Sequence, residues 1–288
     1  MTASAQQLGA ESTPAGTRVP TGEVSALPAT PRPGALAGRA FVYWLAVYRR
    51  VWLGSAISSF LAPLLYLGAM GFGLGTLVNR SGGGIDGVPY AQFVAPGVLA
   101  ATAMQTAAGE STYMVMGAVK WQRQYHAMLA GPLGPVDLVL GHAAYILVRI
   151  TLACVAFTLV AAVLGALASP LAVVGLLVAI LCGAAHGPVI MAFSARQEND
   201  GNFNLLFRFG IIPMFLFAGT FFPVDRLPAW IQPLAWVTPL WNGTTSVRQL
   251  TLGVPDWPAI AAHCAYLLAW VAVGLVLAFR SFRARLVT

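Results

Sequence analysis

The sequence predicts an all-α integral membrane protein with six transmembrane helices, an N-terminal interfacial helix and outer re-entrant helices. Hydrophobic residues make up 58% of the 288 residues and charged residues only 9%, whereas a soluble domain carries about 25% charged residues. Uncharged stretches long enough to cross a bilayer recur along the chain. The basic residues lie beside these stretches, so the net charge of +7 indicates membrane orientation rather than nucleic-acid binding.

The chain begins with a region of different composition. Residues 1–34 are rich in Ser, Thr, Ala, Gly and Pro, and their apolar residues are too scattered for a signal-peptide core. This composition is typical of a disordered tail, which we place in the cytoplasm. Residues 35–288 are predicted to form one transmembrane domain.

The first predicted element of that domain is an amphipathic helix over residues 37–52. Its apolar side chains share one helical face, opposite Arg39 and Arg50. This pattern indicates a helix that lies in the inner interface of the membrane, and the alternative is an extension of the first span. The residues of the apolar face are Ala37, Phe41, Trp44, Leu45, Tyr48 and Trp52.

Uncharged stretches locate the spans, because one crossing needs about 20 apolar helical residues. Residues 150–195 are uncharged, which is too long for one span and sufficient for two spans joined by a turn at residues 168–170. The second span runs on past Glu110, and the fifth carries Arg208. The other four spans are predicted within residues 51–79, 87–109, 203–222 and 259–279.

The distribution of Arg and Lys orients the protein by the positive-inside rule. With the N-terminus inside, the outer side holds only Arg80, Arg226 and Arg248. We therefore predict a multi-pass protein with both termini in the cytoplasm. The residues on the cytoplasmic side are Arg18, Arg32, Arg39, Arg49, Arg50, Lys120, Arg123, Arg149, Arg196, Arg208, Arg280, Arg283 and Arg285.

The outer segment after the fifth span combines prolines with tryptophans. Residues 219–243 read GTFFPVDRLPAWIQPLAWVTPLWNG. The prolines break helical continuity, and irregular backbone cannot face lipid. Tryptophan suits the headgroup region. We expect a pair of short helices, within residues 223–250, that dip into the outer leaflet and return. A simple interfacial loop is the alternative.

The link between the second and third spans, residues 120–141, has its own pattern. Tyr125, Met128 and Leu129 predict a short helix with an apolar edge, ended by Gly131-Pro132. A short amphipathic helix that is joined to two spans on the cytoplasmic side is typical of a docking element. An ordinary connection would be shorter and would lack the pattern.

Glu110 is the one acid inside a predicted span, which makes it a functional candidate. Arg149 or Arg208 could pair with it. We favour a structural ion pair over a substrate or proton site, because a single acid makes a poor proton relay.

The sequence lacks the patterns of common catalytic sites. Lys120 is the only lysine and Val119 precedes it, which excludes a G-x-x-x-x-G-K-[ST] loop. The four histidines are dispersed and have no metal-ligand spacing. We therefore expect no catalytic residue, cofactor or metal in this chain, and a membrane-embedded enzyme is the least favoured class.

Three strings resemble one family, the type-2 ATP-binding-cassette exporter permeases. PYAQFVAPGVLAATAMQTAAGESTY (89–113) is similar to that family's second span. WQRQYHAMLAGPLGPVDLVLGH (121–142) is similar to its coupling segment, and GTFFPVDRLPAWIQPLAWVTPL (219–240) to its segment after the fifth span. The likeness covers all six spans in register and is strongest to the nodulation-factor-export and antibiotic-efflux branch. It does not explain the long N-terminal tail.

The resemblance implies a bacterial inner-membrane permease that dimerises, with itself or with a second kind of permease subunit. A separate ATPase subunit would bind ATP and Mg, and its movements would drive export of a lipid-linked, glycan or drug-like substrate. The rival class is a stand-alone secondary transporter or channel that uses Glu110, Arg149 and Arg208. Such transporters often carry an internal repeat, and the two halves of this chain show none.

The resemblance also implies two sets of functional residues. In the mechanism it implies, the coupling helices move with the ATPases and shift a path between two permease subunits from inward- to outward-open. The predicted ATPase-coupling residues are Trp121, Arg123, Tyr125, His126, Met128, Leu129, Pro132 and Leu133. The residues predicted at the substrate path or outer gate are Phe93, Pro96, Phe221, Phe222, Asp225, Arg226, Trp230 and Trp236.

Overall fold

A computed structural model describes residues 32–85 and 87–287, and within them the regular structure is helical. Most of the predicted tail, residues 1–31, lies outside the described residues. The α-helices are, in chain order, α1 (Ala37–Tyr48), α2 (Trp52–Leu67), α3 (Gly75–Gly82), α4 (Tyr90–Ser111), α5 (Tyr113–Met116), α6 (Gln124–Leu129), α7 (Pro135–Val163), α8 (Ala172–Ser194), α9 (Gly201–Leu205), α10 (Ile212–Phe217), α11 (Gln232–Trp236), α12 (Pro239–Leu252) and α13 (Trp257–Leu286).

Four helical stretches of the described chain are long and apolar enough to cross a membrane. They correspond to the first, third, fourth and sixth predicted spans, and the turn predicted at residues 168–170 lies between the third and fourth. These stretches are Trp52–Arg80, Pro135–Val163, Ala172–Ser194 and Trp257–Leu286.

The other two predicted spans have a different character. The second is α4, a helix of 22 residues that includes Gln92, Gln105 and Glu110. The fifth is a shorter apolar helix, Gly201–Phe217, which ends before the predicted boundary at residue 222. A π-helical stretch joins α9 to α10 within it, and another, Gly68–Leu74, joins α2 to α3.

The N-terminal helix is shorter than predicted and packs against the protein. α1 ends at Tyr48, so Trp52 lies on the next helix and not on the predicted apolar face. The Trp44 side chain is buried in the core rather than turned to lipid. α1 approaches α7 closely, since a Cβ on Gly141 would lie 2.5 Å from the Ala40 Cβ. The Leu36 backbone N–H donates to the Asp137 carboxylate at 2.9 Å and ties the start of α1 to α7.

Helix α4 lies at the centre of the bundle. Every residue from Phe93 to Ala101 is buried, and α4 packs against α7, α8 and α12. Small side chains dominate this stretch and let neighbouring backbones come close. A helix surrounded by other helices needs no continuous apolar surface, which accounts for the polar residues that α4 carries.

The outer segment forms one short helix and one longer helix. After a single 3-10 turn at Val224–Arg226, α11 is short, whereas α12 has 14 residues. The Thr238 hydroxyl caps α12 by accepting from the Trp241 N–H at 3.2 Å. α12 packs between α4, α8 and α13, and its buried residues include Asn242 and Thr244.

Candidate functional site

A groove of about 640 Å³ opens between α2, α4, α7 and α10. Its α4 wall carries Thr102, Gln105, Thr106 and Glu110. Gln105 and Thr106 follow Thr102 by three and four residues, and Glu110 follows Thr106 by four, so the four side chains form one stripe along the helix. Gln105 is exposed, although the residues on either side of it, Met104 and Thr106, are buried and half-buried. The groove therefore presents hydrogen-bonding side chains on an otherwise buried helix.

The opposite walls of the groove are mainly apolar. Pro63 and Tyr66 of α2, Phe157 of α7 and Phe215 of α10 line it. The Tyr66 hydroxyl is buried and has no hydrogen-bond partner within the described residues. An amphipathic molecule would find both apolar contacts and hydrogen-bonding groups in this space.

An ion pair lies at the end of the groove nearest the start of α2. The Arg149 Nε donates to the Glu110 Oε1 at 2.7 Å, and the Tyr145 hydroxyl donates to Oε2 at 3.3 Å. Each of the two charged side chains is only 14% exposed. The Arg149 guanidinium also donates to the Ser55 hydroxyl and lies 4.6 Å from the Tyr48 ring centroid.

This arrangement decides between the two predicted partners of Glu110. Arg149 pairs with Glu110, and through Ser55 and Tyr48 it joins four helices, α1, α2, α4 and α7. Arg208 is exposed on the helix Gly201–Phe217 and takes part in none of the ion pairs of the described chain. The predicted set of three intramembrane charges is therefore a pair and a separate arginine.

The predicted coupling segment, residues 120–141, contains the short helix α6 and the first turns of α7. Arg123, which precedes α6, is in the left-handed conformation with φ of 51°. Tyr125 of α6 is fully buried, because its side chain points into the bundle. Its hydroxyl shares a hydrogen bond with His142 Nδ1 of α7. Its ring lies 5.3 Å from that of Phe282 and 6.0 Å from that of Trp44, centroid to centroid.

The apolar edge of α6 therefore faces its own protein. Met128, Leu129 and Leu133 are half-buried and pack against the main hydrophobic core. The bundle thus offers this edge an apolar surface of its own. The predicted coupling residues that remain exposed are Trp121, Arg123, His126 and Pro132.

The predicted gate residues divide into an inner and an outer group. Phe93 and Pro96 are buried in the bundle and do not line the groove. Arg248 explains the position of Phe93, since its guanidinium lies 4.0 Å from the Phe93 ring centroid and its Nε donates to the Phe93 carbonyl at 3.2 Å. Phe221 and Phe222 are half-buried. The exposed members of the set are Asp225, Arg226, Trp230 and Trp236.

Sequence reasoning missed the polar groove residues Thr102, Gln105 and Thr106. A signal was present, since Gln105 and Thr106 follow Thr102 by three and four residues, a spacing that places all three hydrogen-bonding side chains on one side of a helix. The spacing alone does not say whether such a stripe faces a neighbouring helix or an open space.

Comparison with known proteins identifies the family. A family model described as an ABC-2 family transporter protein matches residues 86–280, well over half of the chain. The chain belongs to the ABC-2 transporter family. As an ABC-2 permease it is a membrane transport protein, and the matched region includes α4, α6 and α12.

Similar proteins extend the match beyond that region. The ABC-2 permease is 32% identical over 250 residues to nodulation protein J of Rhizobium leguminosarum bv. viciae. The matched stretch covers 84% of this chain and 95% of the relative. It is 33% identical over 250 residues to nodulation protein J of Rhizobium leguminosarum bv. trifolii, and this match covers 84% of the chain and 94% of the relative. Nodulation protein J of Sinorhizobium fredii is 31% identical to it over 252 residues, and this match covers 85% of the chain and 94% of the relative.

Proposed function

We propose that this ABC-2 permease is the transmembrane subunit of an exporter that a separate ATPase subunit energises. Its substrate would be lipid-linked, glycan or drug-like, and would leave the cytoplasm through the groove. The observation that carries the proposal is the polar stripe of α4. Gln105 is exposed 15 residues into a 22-residue helix, and a polar side chain at that depth is costly in contact with lipid.

The stripe therefore needs contact with a second protein surface or with water rather than with lipid. A second permease subunit, identical or related, would cover the groove and enclose a path between the two subunits. The mixed lining supports an amphipathic substrate, because Gln105 and Thr106 offer hydrogen bonds while Phe157 and Phe215 offer apolar contact.

Six spans fit this role, with α4 as the second and Gly201–Phe217 as the fifth. A helix of 22 residues is about 33 Å long, enough for a hydrocarbon core of about 30 Å. Its position between α7 and α8, both long and apolar enough to cross a membrane, supports a crossing in parallel with them. We place residues 35–288 in one transmembrane domain of the bacterial inner membrane, with the N- and C-termini in the cytoplasm.

The contacts of α12 support a re-entrant arrangement of the outer segment. The Cys182 thiol donates to the Pro239 carbonyl at 3.8 Å, and the Tyr266 hydroxyl donates to the Val237 carbonyl. Cys182 and Tyr266 are ten and nine residues into α8 and α13, or about 14–15 Å from the outer ends of these helices. Gly253, the first residue after α12, returns to the α7–α8 turn, since a Cβ on Gly253 would lie 3.1 Å from the Ser169 Cβ. We therefore infer that the chain dips about halfway into the membrane and returns.

The coupling helix would carry the ATPase contact on its exposed face. Trp121 is 58% exposed, and Arg123 and His126 lie on the same cytoplasmic segment. We assign ATP and Mg to the partner subunit, and no cofactor to this chain. Nucleotide-driven movement of the ATPases would tilt α6 together with α7, and so would alter the groove.

The contacts of Glu110 weigh against the rival proposal of a stand-alone secondary transporter. A proton or ion carrier needs an acid that can release and rebind its ligand. Glu110 instead accepts hydrogen bonds from both Arg149 and Tyr145. This supports a structural role for the pair at the cytoplasmic end of the path.

Cysteine labelling tests whether the groove is an aqueous path. In a background with Cys154→Ala, Cys182→Ala and Cys264→Ala, we expect Gln105→Cys to react with a membrane-impermeant thiol reagent in inside-out vesicles. The control is Leu268→Cys, an exposed position on α13 that we place in lipid. Equal, slow labelling of both positions would contradict an aqueous path along α4.

A further inference from the structure

Helix α13 is longer than a membrane crossing requires. Its 30 residues span about 45 Å, whereas the hydrocarbon core is about 30 Å thick. The excess lies at its cytoplasmic end, which carries Arg280, Arg283 and Arg285. This end is nevertheless not a solvated extension, because Ala278, Ser281 and Phe282 are buried.

Phe282 is buried against the coupling helix. Its ring and that of Tyr125 lie 5.3 Å apart, centroid to centroid, and neither side chain is exposed to solvent. The Tyr125 hydroxyl meets His142 on the other side. The side chain of Tyr125 is thus held between α7, which follows the coupling segment in the chain, and α13, which is far from it in sequence.

Polar contacts make a second connection through the α8–α9 loop. Arg285 of α13 donates to the Glu198 carboxylate at 2.5 Å. Lys120, at the start of the coupling segment, donates to the Glu198 carbonyl at 2.5 Å and lies 3.6 Å from its carboxylate. The Arg196 Nε donates to the Ser281 hydroxyl at 2.9 Å.

Glu198 is therefore a bridge between the coupling segment and α13. The hydrogen bond from Arg285 lowers the pKa of the Glu198 carboxyl, so the bridge carries its charge at neutral pH and loses it only as the pH falls through that lowered pKa. Exposed ion pairs contribute little stability. Their use here is to fix position, while the buried ring contact holds the helices together.

We propose that the cytoplasmic end of α13 is a bracket that holds the coupling helix, with Phe282 and Glu198 as its positioning residues. The bracket consists of Phe282, Arg285 and Ser281 on α13 and of Glu198 and Arg196 on the α8–α9 loop. The proposal rests on the proposed function, because it assigns the bracket the task of moving α13 together with α6 when the ATPase acts. Without it, Tyr125 of α6 would keep only its contacts with α7 and with Trp44 of α1.

Distance measurement between two spin labels tests the bracket without knowledge of the substrate. The labels are placed at Ala127→Cys on α6 and Val276→Cys on α13, both exposed, in the cysteine-free background. The complex with its ATPase is measured without nucleotide and after trapping with ATP and vanadate. We expect one narrow distance distribution that is the same in both states.

Variants of the bracket residues should no longer show the same label-to-label distance in both states. Phe282→Leu and Glu198→Arg should each broaden the distribution and shift it on trapping. The triple exchange Lys120→Glu/Glu198→Arg/Arg285→Glu, which reverses every charge of the bridge, should restore a narrow distribution. The matched control is Arg283→Glu, which changes an exposed charge on the same turn that forms no ion pair among the described residues.

Two failures can be told apart. If the bracket variants behave as Arg283→Glu does, or if the distance in the unmodified bracket shifts on trapping, the bracket is refuted while the exporter proposal stands. If no ATPase accompanies the permease and vanadate traps nothing, the proposed function has failed. Glu198 is exposed, so a loss of folding cannot account for a broadened distribution in Glu198→Arg.

Discussion

At the scale of single residues, Arg149 has the most consequential contacts. It donates to Glu110 and Ser55 and lies over the ring of Tyr48. The sequence predicted an ion pair for Glu110 but left two arginines as candidates. Charge and approximate depth were readable from the sequence, whereas the choice between Arg149 and Arg208 depends on which helices are neighbours.

The ion pair predicts a specific pattern of stability losses. Glu110→Gln or Arg149→Gln alone should each lower the free energy of unfolding by about 1.5–3 kcal/mol, because each leaves one charge without its partner. The double variant should lose less than the sum of the two, since no uncompensated charge remains. Thermal unfolding of the purified permease in detergent measures both effects.

Arg208→Gln is the matched control, because that arginine is exposed and should change the unfolding temperature little. Strict additivity of the Glu110→Gln and Arg149→Gln effects would contradict a direct interaction between the two side chains.

Tyr125 shows the same limit of sequence reasoning. Its place on the apolar edge of a short helix was readable, and so was the helix itself. Whether an apolar edge faces a partner or its own protein depends on the surface beside it, here formed by Trp44, His142 and Phe282.

At the scale of elements, the packing of α12 distinguishes this fold from a simple row of spans. α12 lies against α8 so closely that a Cβ on Gly243 would be 2.5 Å from the Cys182 Sγ. Prolines and tryptophans in the sequence indicated an irregular outer segment. They did not indicate that α12 has 14 residues or that it is largely buried. Its burial is hard to predict because Asn242, Thr244 and Ser246 are polar residues typical of an exposed helix.

The close approach predicts an effect of adding a single methyl group. Gly243→Ala should destabilise the permease by about 1–3 kcal/mol through overpacking. Adding Cys182→Gly should recover part of that loss by removing the opposing side chain. Gly54→Ala is the control, since nothing lies within 4 Å of its added Cβ and a helix tolerates alanine better than glycine.

Thermal unfolding of the three variants, together with their abundance in membranes, provides the measurement. Equal stability of Gly243→Ala and Gly54→Ala would show that α12 does not approach α8 as closely as described.

At the scale of the whole molecule, the criteria of length and apolar character select four helical stretches of the described chain and leave out α4. Three of these stretches pack against α4 through α3, α7 and α8, and α4 itself carries the polar stripe. The class and the order of elements could therefore be predicted from charge-free stretches. The groove could not, because it arises from the placement of α2 and α10 beside α4.

The central claim is that this ABC-2 permease works with a separate ATPase, and co-purification tests it most directly. The tagged permease is isolated from its own cells in a mild detergent, and its partners are identified by mass spectrometry. We predict a stoichiometric ATPase with a phosphate-binding loop. His126→Asp, on the exposed face of α6, should release that ATPase, whereas Trp230→Asp on the outer segment should not. A folded permease that is recovered without any ATPase, also in a milder amphiphile, would contradict the account.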